Sequence, residues 1–227
     1  MTTDRRFEAQ HGGRSLKRPP GEGITRLFLV RHGATPANER RPYILQGSGM
    51  DLSLSENGQR QAALLAKVFA EIELAGVVAS PMRRACETAA PVCQHHGLNL
   101  ETDERLKECS VGRWEGMDWE SIRTQDPEGH REFFANPAEI PHPGGESFGD
   151  VHKRVSPAIQ DVFAKYSGQN VLVVAHNLVN RAYLASFVHL PLAEARKLHQ
   201  ANCCINVLEA HPDRVDLITL NSTLHLD

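Results

Sequence analysis

No segment of the chain approaches the ~18 consecutive apolar residues that a membrane-spanning helix needs, so no membrane partner is expected. Cysteine is scarce: there are five, an odd number, with no Cys-x-x-Cys spacing. That usage argues against a disulfide framework and against a thiolate zinc site, and it points to a reducing, cytoplasmic setting. Excess positive charge is also missing. With 25 Lys and Arg against 28 Asp and Glu, the net charge of −3 carries no footprint of nucleic-acid binding. Basic residues near the start, such as Arg5, Arg6 and Lys17, are followed by no apolar stretch of the kind a secretory signal requires. Residues 1–24 are polar and run into Pro19-Pro20-Gly21, so they are expected to form a disordered tail ahead of one domain over residues 25–227. Whether that domain is a monomer or a homodimer cannot be read from the sequence.

What is present is an ordinary globular composition, with 41% hydrophobic and 23% charged residues in 227. Two runs, Leu27-Phe28-Leu29-Val30 and Val171-Leu172-Val173-Val174-Ala175, are apolar at every position. Such runs read as parallel strands buried on both faces. The first is closed by Arg31-His32-Gly33 and the second by His176. Ligands of open α/β sheets bind just outside the carboxyl ends of the strands, so two imidazoles and an arginine arrive where chemistry is usually done.

Ser55 is a fitting cap for a helix over 56–71, and a short strand is predicted over 77–79. Ser80-Pro81 then reads as the start of a helix with Arg83 and Arg84 in its first turn. A short strand at 98–100 is followed by an irregular segment, 106–146, expected to form a cap. Helices are predicted over 150–166 and 178–188, with a terminal hairpin or edge pair from 204–209 and 215–219. The alternation predicts a single doubly wound α/β domain in three layers, with a mostly parallel sheet and a cap inserted over its C-terminal edge.

Phosphoryl transfer asks for positioning and charge neutralisation, and arginine suits it because its planar fork pairs with phosphate oxygens and keeps its proton. Arg31, Arg83 and a helix start near Pro81 would supply positive potential at one sheet edge. Neutral imidazole is a nucleophile, so His32 can attack phosphorus while His176 bonds a non-bridging oxygen. Glu108 is the best-placed proton donor for a departing alkoxide.

The run Arg31-His32-Gly33-Ala34-Thr35-Pro36-Ala37-Asn38 resembles the signature of the histidine phosphatase superfamily, the phosphoglycerate-mutase-like proteins. Further blocks match in order. They are Gln46-Gly47 with Leu54-Ser55-x-x-Gly58-x-x-Gln61, Ala79-Ser80-Pro81-x-Arg83-Arg84-Ala85-x-x-Thr88, and Leu106-x-Glu108 with Gly112-x-Trp114-Glu115-Gly116. Pro143-x-Gly145-Glu146-Ser147 and Val174-Ala175-His176 complete the set.

The resemblance implies that His32 is the phosphorylated nucleophile. It places Arg31, Arg83 and His176 around the phosphate and makes Glu108 the donor. Asn38, Gln46 and Asn177 become phosphate or substrate contacts. It implies no metal and no cofactor, and a small phosphorylated substrate. Asn177-Leu178 stands where many members carry Gly-Gly, and Leu178 is expected to narrow the pocket floor. Dedicated mutases carry a longer segment after the donor and a C-terminal tail. The resemblance therefore favours the phosphatase-type branch, similar to α-ribazole and broad-specificity sugar-phosphate phosphatases. A phosphomutase is the alternative, and a catalytically weak phospho-ligand binder on the same fold a second.

Simpler roles are expected elsewhere. Arg84 is read as a surface or structural neighbour of Arg83, and His95, His96 and His142 as exposed loop histidines without metal-ligand spacing. Cys203-Cys204 is expected to pack in a strand. For Arg181 a salt bridge on the helix face is at least as expected as a substrate contact, and for the loop and cap residues Arg40, Arg41, Tyr43, Arg113 and Arg123 solvated charge and substrate contact weigh about equally.

Overall fold

The computed structural model describes residues 20–226, so the expectation of a disordered tail falls largely outside the described residues. Strands β1 (Thr25–Arg31), β2 (Gly76–Ala79), β3 (Leu100–Thr102), β4 (Asn170–Ala175), β5 (Ile205–Ala210) and β6 (Val215–Ser222) form one sheet in the order β3-β2-β4-β1-β5-β6. β1, β2, β3 and β4 pair in parallel, while β5 pairs antiparallel with both β1 and β6. Only β5 runs against the others, and the β5–β6 pair is the expected terminal hairpin.

Strand alternation decides the layers. Leu27 and Leu29 join Val171 and Val173 on one face, and Phe28 and Val30 join Leu172 and Val174 on the other. All are essentially buried, and each such Leu, Val or Phe contributes about 1.5–3 kcal/mol relative to exposure.

The helices are α1 (Pro36–Glu39), α2 (Glu56–Phe69), α3 (Arg83–His96), α4 (Trp119–Gln125), α5 (Pro127–Ala135), α6 (Phe148–Lys165) and α7 (Asn177–Leu184). Helices α2 and α3 cover the Phe28 face through Leu65, Phe69, Ala89 and Val92. Helices α6 and α7 cover the Leu27 face through Val155, Ile159, Val179 and Leu184. This is the three-layer, doubly wound arrangement the sequence predicts.

Two local expectations are corrected. The helix after β2 begins at Arg83, with Met82 in the cap position and no side-chain cap; Ser80 is used elsewhere. The cap segment is less irregular than its composition suggests, because it contains α4 and α5. Asp118 and Asp126 cap them by accepting from Ser121 N and Gly129 N, and Pro127 pre-sets the first turn of α5. The cap is built around Trp114, which is 1% exposed and meets Phe133, His142 and Trp119 edge-on.

Candidate active site

β1 and β4 are sheet neighbours, so His32 and His176, which follow them, lie together with ring centroids 5.1 Å apart. The loop after β1 is held on every side. His32 N donates to Ala175 O (3.0 Å), Gly33 N to Thr88 Oγ1 (2.9 Å) and Ala34 N to Gln61 Oε1 (2.9 Å). The Ala34 carbonyl sits where a Cβ on Gly58 would be, 2.0 Å away, so only glycine lets α2 approach this loop. From the β5 side, Asn202 Nδ2 donates to His32 O (3.0 Å) and Cys203 N to Arg31 O (3.0 Å). These contacts tie Gly58, Gln61 and Thr88 to the Arg-His-Gly triplet.

Nδ1 of His32 lies 2.7 Å from Gly33 O. A carbonyl only accepts, so Nδ1 carries the hydrogen and Nε2 keeps its lone pair. Burial, followed by the Arg31 and Arg84 charges, pushes the His32 pKa well below the ordinary value, with the Gly33 carbonyl opposing the shift. The ring is neutral at pH 7. His176 is shifted the same way, by burial and then by Arg84, His32 and Arg31. Its Nε2 lies 2.7 Å from Ser80 Oγ, and its buried Nδ1 has no partner in the protein.

The two adjacent arginines exchange the roles expected of them. Arg83 is exposed; its backbone N donates to Asp51 and its Nη1 reaches Ser53 Oγ at 3.4 Å. Arg84 is fully buried, donating from Nη1 to Met50 O (2.7 Å) and from Nη2 to Gly47 O (3.1 Å), with Nε unpartnered. Because α3 starts at Arg83, its buried stripe runs through Arg84, Thr88 and Val92, and Arg83 falls off it. Arg84 replaces Arg83 in the site. Arg31 is buried as expected, with Nη1 on Gln200 O (2.6 Å) and Nε unpartnered.

Glu108 is buried, accepting from Cys109 N (2.9 Å) and from Leu178 N at the start of α7 (3.4 Å). Gln46 is buried, its Oε1 accepting from Thr35 Oγ1 (2.8 Å) while Nε2 has no partner. Asn177 leaves Oδ1 buried and unpartnered. Asn38 is half-buried, and its Oδ1 is occupied by Thr35 and Asn202, so its oxygen serves the loop. Glu108, Gln46 and Asn177 share a cleft of about 140 Å³ with Leu178, which does form part of its wall.

Several residues around the site escaped the sequence reading. Arg154 on α6 gathers Arg105 O (2.7 Å), Lys107 O (2.7 Å) and Glu108 O (3.2 Å), and pairs with Glu146 (2.7 Å), which fixes the segment carrying Glu108. Gln200 and Asn206 exchange two amide bonds of 2.9 Å, and Asn180 Nδ2 adds a third to Gln200 (3.2 Å). This buried amide cluster holds the backbone that receives Arg31. Tyr43 and Arg181 line the cleft, whereas Arg113 and Arg123 pair with Asp126 and Glu120 on the cap surface.

His142 is not an exposed loop residue. It is 3% exposed, stacks on Phe133 (4.1 Å) and bonds Glu146 O through Nδ1 (2.7 Å). His95 and His96 lie in the last turn of α3 and not in a loop; His95 is exposed as expected, and His96 bonds Phe69 O (3.0 Å). Cys203 is buried in a left-handed turn (φ 55°) just before β5. Among the described residues, no group of three or more His, Cys, Asp or Glu is arranged to hold a metal ion.

The profile of the histidine phosphatase superfamily (branch 1) matches residues 27–223. A bifunctional protein of Mycobacterium tuberculosis is 33% identical over 204 residues, covering 89% of this chain and 55% of that protein. The chain thus spans about half the length of the first curated relatives it matches. Phosphoserine phosphatase 1 of Hydrogenobacter thermophilus is 30% identical over 203 residues, covering 89% of this chain and 95% of the relative. Among solved structures, a mycobacterial glucosyl-3-phosphoglycerate phosphatase superimposes with a TM-score of 0.77 at 30% identity, covering 88% of this chain and 100% of that one.

Proposed function

The chain belongs to branch 1 of the histidine phosphatase superfamily, and on that footing we propose that it hydrolyses a small phosphomonoester through a phosphohistidine at His32. One observation carries the reading. Arg31 Nε, Arg84 Nε and His176 Nδ1 are all buried without a protein partner beside a histidine whose Nε2 lone pair is free, and the buried Gln46 Nε2 is likewise unpartnered. Unpaired buried donors each cost about 1–3 kcal/mol, and an anion with several oxygens satisfies them together.

In the first step His32 Nε2 attacks phosphorus, the bond to the leaving oxygen breaks, and Glu108 gives that oxygen its proton. Arg31, Arg84 and His176 hold the three non-bridging oxygens as charge shifts onto them. In the second step the Glu108 carboxylate takes a proton from water, which attacks phosphorus. The P–N bond breaks, releasing inorganic phosphate and neutral His32. Water is the acceptor in this reading, because apart from Gln46 and Asn177 the cleft around Glu108 is lined by Leu45, Val111 and Leu178, which offer no hydrogen bond to hold a departing polyol for rephosphorylation. The activities named for the relatives, on phosphoserine and glucosyl-3-phosphoglycerate, support a small metabolite as substrate.

The net charge of −3 supports a partner set without nucleic acid. Five free cysteines support a reducing, cytoplasmic setting, and no helix among the described residues is long and apolar enough to cross a membrane.

The test is phosphate release from a panel of phosphorylated sugars, hydroxy acids and phosphoserine, with EDTA present, in wild type and His32→Ala. The reading expects EDTA-resistant release that the variant loses. Conversion of 3-phosphoglycerate to its 2-isomer without phosphate release would replace it with the mutase reading.

A further inference from the structure

Beyond Glu108 the cleft changes character. The rings of Tyr43, Trp119, Phe133 and Phe134 line it, Tyr43 and Trp119 partly exposed, with Trp119 and Phe134 edge-to-face at 5.2 Å. Among the described residues Glu108 is the only carboxylate lining it, and Gln46 and Asn177 are the only side-chain amides. A sugar or polyol would find few acceptors and donors among these rings. Phe134 packs against His130 (4.5 Å) and under Arg196 (4.5 Å), and Phe133 against His142 (4.1 Å), so a flat apolar group would rest on the partly exposed rings of Tyr43 and Trp119.

Two guanidinium groups line the same cleft. Arg181 on α7 has a buried Nε without a protein partner, and Arg196 lies over the Phe134 ring at 4.5 Å. Neither makes an ion pair among the described residues, unlike Arg105, Arg113, Arg123 and Arg154, which all do. Stacking on Phe134 keeps Arg196 beside the aromatic wall with its N–H edge free, the orientation in which a guanidinium binds a carboxylate in two-point fashion.

We infer that the outer cleft is a leaving-group subsite for a planar aromatic ring bearing an anionic substituent, with the ring against Tyr43 and Trp119 and the anion on Arg196. This rests on the phosphatase reading for its chemistry and deepens it by naming the substrate class: an aryl or benzyl phosphate with a carboxylate or second anion at the far end. Arg181, nearer Glu108, keeps the path between the two anionic ends of the substrate positive.

Phosphonates test the subsite apart from turnover, because the P–C bond is not hydrolysed. Calorimetry on the full chain would compare 4-(phosphonomethyl)benzoate, benzylphosphonate and 2-hydroxyethylphosphonate, with tryptophan emission followed in parallel. Trp114 is buried in the cap, so quenching on binding would report Trp119, which is 37% exposed. The expected order is carboxybenzyl over benzyl over hydroxyethyl, each step roughly tenfold, from an added bidentate ion pair and an added ring contact. Arg196→Gln, at an exposed position, should collapse the first step. Equal binding of hydroxyethyl and benzyl compounds, or no binding by any of them, overturns the subsite. The expected ranking together with no phosphate release from the matching phosphate esters would leave the subsite standing and remove the phosphatase reading.

Discussion

The Ser80 hydroxyl lies 2.7 Å from Nε2 of His176 and, on its other side, accepts from Met82 N at 3.3 Å. Met82 N is a donor, and among the described residues His176 Nε2 is the only acceptor bonded to the Ser80 hydroxyl, so the hydroxyl gives its hydrogen to Nε2. That places the His176 proton on Nδ1, the nitrogen left without a partner. Ser80 therefore makes His176 a neutral donor through its unpartnered Nδ1. Ser80→Ala should lower kcat by roughly tenfold, the worth of one oriented hydrogen bond, with a smaller change in KM. Nitrogen-15 NMR should show the Nδ1–H tautomer in wild type and a mixture in the variant. A mixed tautomer in wild type would contradict the assignment.

The neighbouring arginines offer a sharp contrast. Arg84→Gln should reduce kcat/KM by about 10²–10³, the usual loss when a donor to developing oxyanion charge is removed. Arg83→Gln, which removes one long surface hydrogen bond, should stay within about twofold of wild type. Steady-state kinetics on both variants decide between them, and the opposite ranking would restore Arg83 to the site.

Arg154 holds the Glu108 segment through three carbonyls and Glu146. Arg154→Met should destabilise the protein by about 2–3 kcal/mol in urea unfolding, since carbonyl and carboxylate partners lose their donor. Its kcat should fall more than KM rises, because proton donation depends on where Glu108 points. A variant with normal kcat would show that the segment is positioned by other contacts.

Protons provide a fourth prediction. His32 and His176 are both held below the ordinary histidine value of 6.5 in the folded state. Below pH 6.5 the unfolded chain binds protons that the folded chain refuses, so stability is full above that pH and is lost as pH falls. The slope should approach about 1.4 kcal/mol per pH unit for each histidine. Urea unfolding of wild type and His32→Asn between pH 7 and 5 should show a shallower decline in the variant. Identical slopes would mean that His32 titrates normally.

Much of this site is written in the chain itself. β1 and β4 were legible as buried strands because residues 27–30 and 171–175 within them are apolar at every position, and their shared edge brought His32, His176 and Arg31 together on topology alone. The Arg83/Arg84 register was misread because Ser80-Pro81 has the form of a helix start. The better signal was the period of α3: Thr88 and Val92 are i+4 and i+8 from Arg84, while Arg83 shares its side with Cys86 and Glu87. Asp118 and Asp126-Pro127 were cap signals hidden by the irregular composition around them. The amide cluster of Asn180, Gln200 and Asn206 had no local signal, because its purpose is to hold Arg31, 169 residues from Gln200 in sequence.

The central claim is the phosphorylated intermediate on His32. Rapid acid-free quenching during turnover of an aryl phosphate with EDTA present, followed by peptide mapping by mass spectrometry, reads it directly. The account predicts a base-stable, acid-labile phosphoryl group on the peptide containing His32, absent from His32→Ala. Phosphate release at full rate with His32 unlabelled, or with the label on another residue, would contradict it.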